Sequence, residues 1–144
     1  MSRYKRVLIA VDLTDEANDV ADRAATICKD NNAELHIVHA IEPLSFAYGG
    51  DIPMDFTGIQ EEIQKQAKIK LSKMAQQYGI KEDHQYLVVG RPETEIHNLS
   101  EQHNIDLVVI GSHGRHGLGL LLGSTANGVL HGSKCDVLAV RVGE

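Results

Sequence analysis

Val7-Leu8-Ile9-Ala10-Val11-Asp12 sets five apolar residues in succession and closes them with an acid. A strand covered on one face alternates apolar with polar side chains, whereas an unbroken run suits a strand buried on both faces, as in a parallel sheet between layers of helices. Arg3-Tyr4-Lys5-Arg6 in front of the run imitates the charged start of a signal peptide. Asp12 ends the run short of the roughly 7–15 apolar residues such a segment needs, which leaves a buried strand.

Runs of the same kind recur at residues 35–41, 86–89, 107–110 and 137–142, giving five predicted strands. Helical patterns alternate with them. The first places Ala17, Val20, Ala21, Ala24, Ile27 and Cys28 at steps of three and four, with Thr14 or Asp15 available as its cap. The second spans 58–78 and puts Ile59, Ile63, Ala67, Leu71, Met74, Ala75 and Tyr78 on one face; Thr57 with Gln60 forms a capping box, and Gly79 ends it. A third begins near Pro92 and turns Ile96 and Leu99 inward, and a fourth begins at Ser124. This alternation predicts an α/β fold, a doubly wound five-stranded parallel sheet forming one domain over residues 1–144. Residues 42–56, with two prolines and Gly49-Gly50, make a long connection, which serves either as a plain surface crossover or as a lid or interaction loop.

Composition agrees. The chain has 144 residues, 42% apolar and 24% charged, the balance of a globular domain rather than of a disordered, fibrous or membrane protein. Its net charge of -6, with lysines and arginines scattered, gives no footprint for a phosphate backbone, so nucleic acid is excluded as a partner. Cys28 and Cys135 have neither metal-ligand spacing nor a disulfide framework, which fits a reducing, cytoplasmic setting.

Open parallel sheets bind ligands beyond the carboxyl ends of their strands, where the strand order reverses. Two segments converge there. The first strand ends in Ala10-Val11-Asp12, and the fourth passes from Ile110 into Gly111-Ser112-His113-Gly114-Arg115-His116-Gly117-Leu118-Gly119 and on to Gly123-Ser124-Thr125. Glycines let backbone N–H groups turn toward a ligand, and a helix start adds unsatisfied donors, so phosphate is the natural guest. Gly123, Ser124 and Thr125 can donate to it, Gly111 and Gly114 admit a ribose or phosphates close to the chain, and His113 and Arg115 add hydrogen-bonding or cationic groups. The same glycines also fit a tight turn and a close helix approach; their place between a buried strand and a helix, opposite an acidic strand end, is what points to a ligand. No lysine follows Gly123, so the loop is not a Walker A P-loop, and Gly117-Leu118-Gly119 lies too late in the chain for a dinucleotide fingerprint.

Asp12 has two readings: a group that hydrogen-bonds a nucleotide's sugar or base or holds its Mg²⁺, and a local Asx turn or helix cap. The eight histidines include His113 and His116, His103 and His131, but no zinc-motif spacing, and His36 and His39 on one strand point to opposite faces. Cys135 reads as a small buried apolar residue. No nucleophile, base and orienting group assemble, so no catalytic residue is assigned.

Val7-Leu8-Ile9-Ala10-Val11-Asp12, with Gly111-Ser112-His113-Gly114 leading to Gly123-Ser124-Thr125, resembles the signatures of the universal stress protein family, and the likeness covers the whole chain. The resemblance implies strand order 3-2-1-4-5, a homodimer, and, in the nucleotide-binding branch, the pattern G-x2-G-x9-G-[S/T]. It implies that Ala10, Val11 and Asp12 meet the adenine and ribose, that Ala40 contacts adenine through its backbone, and that Ile110 packs near it. Gly111, His113, Gly114, Gly123, Ser124 and Thr125 then hold ribose and phosphates of ATP or AMP, with Mg²⁺ reached by Asp12 only through the nucleotide. Here eight residues rather than nine separate Gly114 from Gly123, a departure that bears on the triphosphate more than on the adenine pocket. Gly117 and Gly119 can absorb the lost residue, and Asp136 stands after Cys135 where the family often has proline. The last run, Val137-Leu138-Ala139-Val140-Arg141-Val142, falls at a sheet edge and is apolar enough to pair across a twofold axis. The functions that follow are a stress-response regulator binding an adenine nucleotide, a slow ATP hydrolase or self-phosphorylating protein, and a dimeric interaction protein with an unknown client and no nucleotide.

Overall fold

The computed structural model describes residues 4–14, 17–42, 57–111 and 124–141, without the side chains of Thr57, Ser124 and Thr125. Five strands, β1 Arg6–Ala10, β2 Glu34–Ile41, β3 Gln85–Val89, β4 Leu107–Gly111 and β5 Asp136–Val140, form one sheet in the order β3-β2-β1-β4-β5. Every neighbouring pair is parallel. The helices are α1 Ala17–Asn31, α2 Thr57–Gln77, α3 Pro92–Gln102 and α4 Ser124–Leu130, and a 3₁₀ turn at Glu82–His84 leads into β3.

The unbroken apolar runs have the predicted cause. Val7, Leu8 and Ile9 are each 0% exposed, because both faces of β1 are covered. Val7, Ile9, Val11, Ile37 and Val109 pack with Ala17, Val20, Ala21 and Ala24 of α1 and Leu71 and Ala75 of α2. Leu8, Val38, Val108 and Ile110 pack on the other face with Ile96 and Leu99 of α3 and Ala126 and Val129 of α4. Helix α4 comes very close to α3: a Cβ placed on Gly128 would stand 2.9 Å from the Cβ of Glu93.

Helix α2 departs from its predicted face. Ala67, Leu71 and Ala75 are buried, but Ile59 is 48% exposed and Ile63 38%. The buried positions begin at Ala67, the middle of this 21-residue helix, so only its second half carries the stripe that packs into the core. Gly79 ends the helix as expected, with φ of 68°, and the Ile80 N–H returns to the Ala75 carbonyl at 2.9 Å. At the start of α1, the Ala17 N–H donates to the carbonyl of Thr14, while the Thr14 hydroxyl turns instead to Asp12. The last strand is observed over Asp136–Val140 rather than 137–142, and residue 142 and the connection 43–56 lie outside the described residues. Among the described residues no helix is long and apolar enough to cross a membrane.

Candidate functional site

The chain leaves β1 toward β2 and β3 on one side and returns to β4 and β5 on the other, so the strand order reverses at β1 and β4. The crevice beyond their carboxyl ends is where such sheets bind ligands. Three neighbouring strands carry small residues there: Ala10 and Gly111 close β1 and β4, and Ala40 is the last residue but one of β2, all half-buried. Ala10 and Ile110 stand on the face covered by α3 and α4, and Ala40, two residues beyond Val38, shares it. Ile110 and Val11 are buried. On that face Ala10 is flanked by Val38 of β2 and Ile110 of β4, with Ala40 the next position along β2, so the methyl-sized side chains of Ala10 and Ala40 leave room for a flat ring against backbone and Ile110 borders it with an apolar side.

Asp12 is exposed at the mouth of this crevice. Its Oδ1 accepts from the Thr14 backbone N–H at 3.0 Å and from the Thr14 hydroxyl at 2.6 Å, and Leu13 between them adopts φ of 64°. The local Asx turn is therefore real. It holds the carboxylate in place without exhausting it, since a carboxylate offers two oxygens and about four lone-pair positions.

Six residues singled out in the sequence, Ala10, Val11, Asp12, Ala40, Ile110 and Gly111, are thus brought to one edge of the sheet. Ser124 and Thr125 open α4, which packs on the same face. His113, Gly114 and Gly123 lie outside the described residues.

One contributor escaped the sequence reading. His39 Nδ1 donates to the carbonyl of Val11 at 2.8 Å, and the Val11 N–H donates to the Val38 carbonyl at 3.0 Å, so β2 holds both backbone polar groups of the residue that follows β1. No spacing signal marks His39, because the contact is across strands. The thiols take no part: burial, then the charge of Asp106, pushes Cys28 up to about 11, and burial also raises Cys135.

Comparison with known proteins bears on the family. The sequence pattern of the universal stress protein family matches residues 3–141. Universal stress protein A homolog 1 of Coxiella burnetii is 41% identical over 139 residues, which cover 95% of this chain and 96% of the relative. Among solved structures, the universal stress protein UspA from Lactobacillus plantarum superposes with a TM-score of 0.79 at 22% identity, covering 98% of this chain and all of the other. A universal stress protein solved in complex with cAMP has a TM-score of 0.63 at 29% identity, covering 96% of this chain and 98% of that one. A pattern matched over nearly the whole length and a full-length relative at this identity lead to one statement: the chain belongs to the universal stress protein family.

Proposed function

We propose that the protein is a stress-response regulator that acts as one domain and binds an adenine nucleotide, ATP or AMP, at the carboxyl ends of β1 and β4. The observation that carries it is the convergence of Ala40, Ala10 and Gly111 toward the carboxyl ends of three adjoining strands, with Ile110 beside Ala10 on the same face and Asp12 held at the mouth. The relative bound to cAMP, itself an adenine nucleotide, supports the ligand class. Asp12 then meets the ribose, or Mg²⁺ carried by the nucleotide, while the glycines, His113, Ser124 and Thr125 serve the phosphates. Occupancy acts by shifting the population of loop or dimer conformations that a protein partner recognises. The dimer forms through β5, which lies at the sheet edge with Val137, Leu138 and Ala139 only partly covered. Two free thiols suit a reducing, cytoplasmic setting.

Calorimetry on nucleotide-stripped protein, with ATP, ADP, AMP and cAMP and with or without Mg²⁺, tests it. Saturable binding that weakens in Gly114→Ala or Ser124→Ala is the expected result; no binding of any of the four overturns it. The spacing of eight residues between Gly114 and Gly123 favours a second reading, a dimeric interaction protein without nucleotide, and the same null result would select that one. Should ATP turn over, loss in Asp12→Ala with survival in Ser124→Ala identifies hydrolysis rather than self-phosphorylation.

A further inference from the structure

At the end of the sheet away from the crevice, three side chains with ligand atoms meet. β2 opens with Glu34 and carries His36 two residues on, which puts both on one face. The 3₁₀ turn before β3 delivers His84 beside them. His36 Nε2 lies 3.3 Å from Glu34 Oε1, and the rings of His36 and His84 stack with centroids 4.0 Å apart and planes 22° from parallel. One ligand atom from each of the three falls within 4.8 Å of the other two. Tyr86 Oη stands 2.8 Å from His36 Nδ1, and His103, at the end of α3, brings a third imidazole 6.2 Å from His36, centroid to centroid.

His36 is 3% exposed, the one buried polar side chain among the described residues. An apolar residue in its place would pack without desolvation, and nothing in the nucleotide crevice uses it. We propose that Glu34, His36 and His84 form a site for a zinc-class divalent transition-metal ion, with Tyr86 as the outer partner that orients His36. Two imidazoles and a carboxylate are the donor set such ions select, whereas Mg²⁺ and Ca²⁺ prefer oxygen alone.

The hydrogen bonds suit both states. Without an ion, Nε2–H donates to Glu34 and the Tyr86 hydroxyl donates to Nδ1. With one, the proton resides on Nδ1 and donates to Tyr86 Oη, the hydroxyl having rotated, and Nε2 turns its lone pair to the metal. No proton is gained or lost by the imidazole, and the arrangement is the outer-shell hydrogen bond that ligating histidines ordinarily make. Arg6, 3.7 Å from Glu34 Oε1, makes a loose exposed pair that an ion readily replaces. The site is independent of the crevice: Glu34 and Ala40 lie about 20 Å apart along β2, so the metal site stands or falls apart from the nucleotide.

The test is titration of chelator-treated, nucleotide-free protein with Zn²⁺ by calorimetry, and with Co²⁺ by visible absorption. One ion per chain and a tetrahedral Co²⁺ spectrum are expected. His84→Gln and Glu34→Gln, each confirmed folded by circular dichroism, should weaken Zn²⁺ binding by at least roughly tenfold, and Tyr86→Phe by about tenfold. His131→Gln should leave it unchanged. Absence of saturable binding overturns the proposal, as does binding that His84→Gln and Glu34→Gln leave intact.

Discussion

The imidazole of His39 and the carbonyl of Val11 are joined across two strands by a hydrogen bond of 2.8 Å, at the point where the chain leaves β1 for the crevice. Removing it in His39→Leu strands a buried-edge carbonyl, and the expected loss of stability is about 1–3 kcal/mol by urea unfolding. Nucleotide affinity should fall several-fold in the same variant, since the backbone of residues 10–12 loses its brace. A variant that is destabilised yet binds nucleotide with unchanged affinity would show that the brace serves the fold alone.

Asp12 offers a sharper separation of local and ligand roles. Asp12→Ala removes the acceptor for both Thr14 groups and should lower stability by about 1 kcal/mol while weakening nucleotide binding at least about tenfold. Asp12→Asn keeps a carbonyl acceptor for the turn, so stability should be retained while the Mg²⁺-dependent part of binding disappears. Calorimetry with and without Mg²⁺, beside urea midpoints, reads both effects.

The buried imidazole of His36 makes stability depend on pH. It faces Glu34 on its own strand, Tyr86 on β3, His84 in the 3₁₀ turn and His103 at the end of α3, with Arg6 of β1 on Glu34. Burial is the largest cause of its lowered pKa, opposed by the hydrogen bond to Glu34. The unfolded chain therefore takes up a proton near the ordinary value of 6.5 that the folded chain refuses until lower pH. Stability is complete above that value and declines as pH falls through it toward the folded pKa. Metal-free protein should show a lower urea midpoint at about pH 5.5 than at about pH 7.5, and His36→Phe should flatten the difference.

Cys28 should resist thiol reagents while the protein is folded. A pKa of about 11 in place of 9.0 leaves about a hundredfold less thiolate at pH 8, before burial further slows access. Labelling with iodoacetamide, followed by mass spectrometry, should modify Cys28 only in denaturant; rapid modification in buffer would contradict the packing of α1 on β1.

Much of this architecture is legible in the sequence because the strands are buried twice over. A run such as 107–110 cannot be mistaken for a half-exposed strand, and its observed counterpart differs by one residue. The strand order was supplied by family resemblance rather than by the runs, since apolar residues do not say which neighbour they will meet. For the same reason Ile59 and Ile63 were assigned to a core that their helix has yet to reach. Ala10, Asp12 and Ile110 could be placed because strand ends and the crevice coincide. His39 with Val11, and His36 with His84, could not: the register that pairs Ile37 with Gln85 is what brings residue 84 beside residue 36, and register is a property of two strands rather than of either one.

The central position of β1 bears on how the protein is made. Within this sheet β1 is synthesised before its partners, yet Val7 pairs with Leu107, a hundred residues later in the chain, and until β4 emerges one edge of β1 has no partner. A nascent chain stopped anywhere before that point carries a bare strand edge that is apolar from Val7 to Ala10. An early stop thus yields an adhesive fragment rather than a smaller working fold, and the long wait for β4 marks the interval in which the growing chain most needs a chaperone.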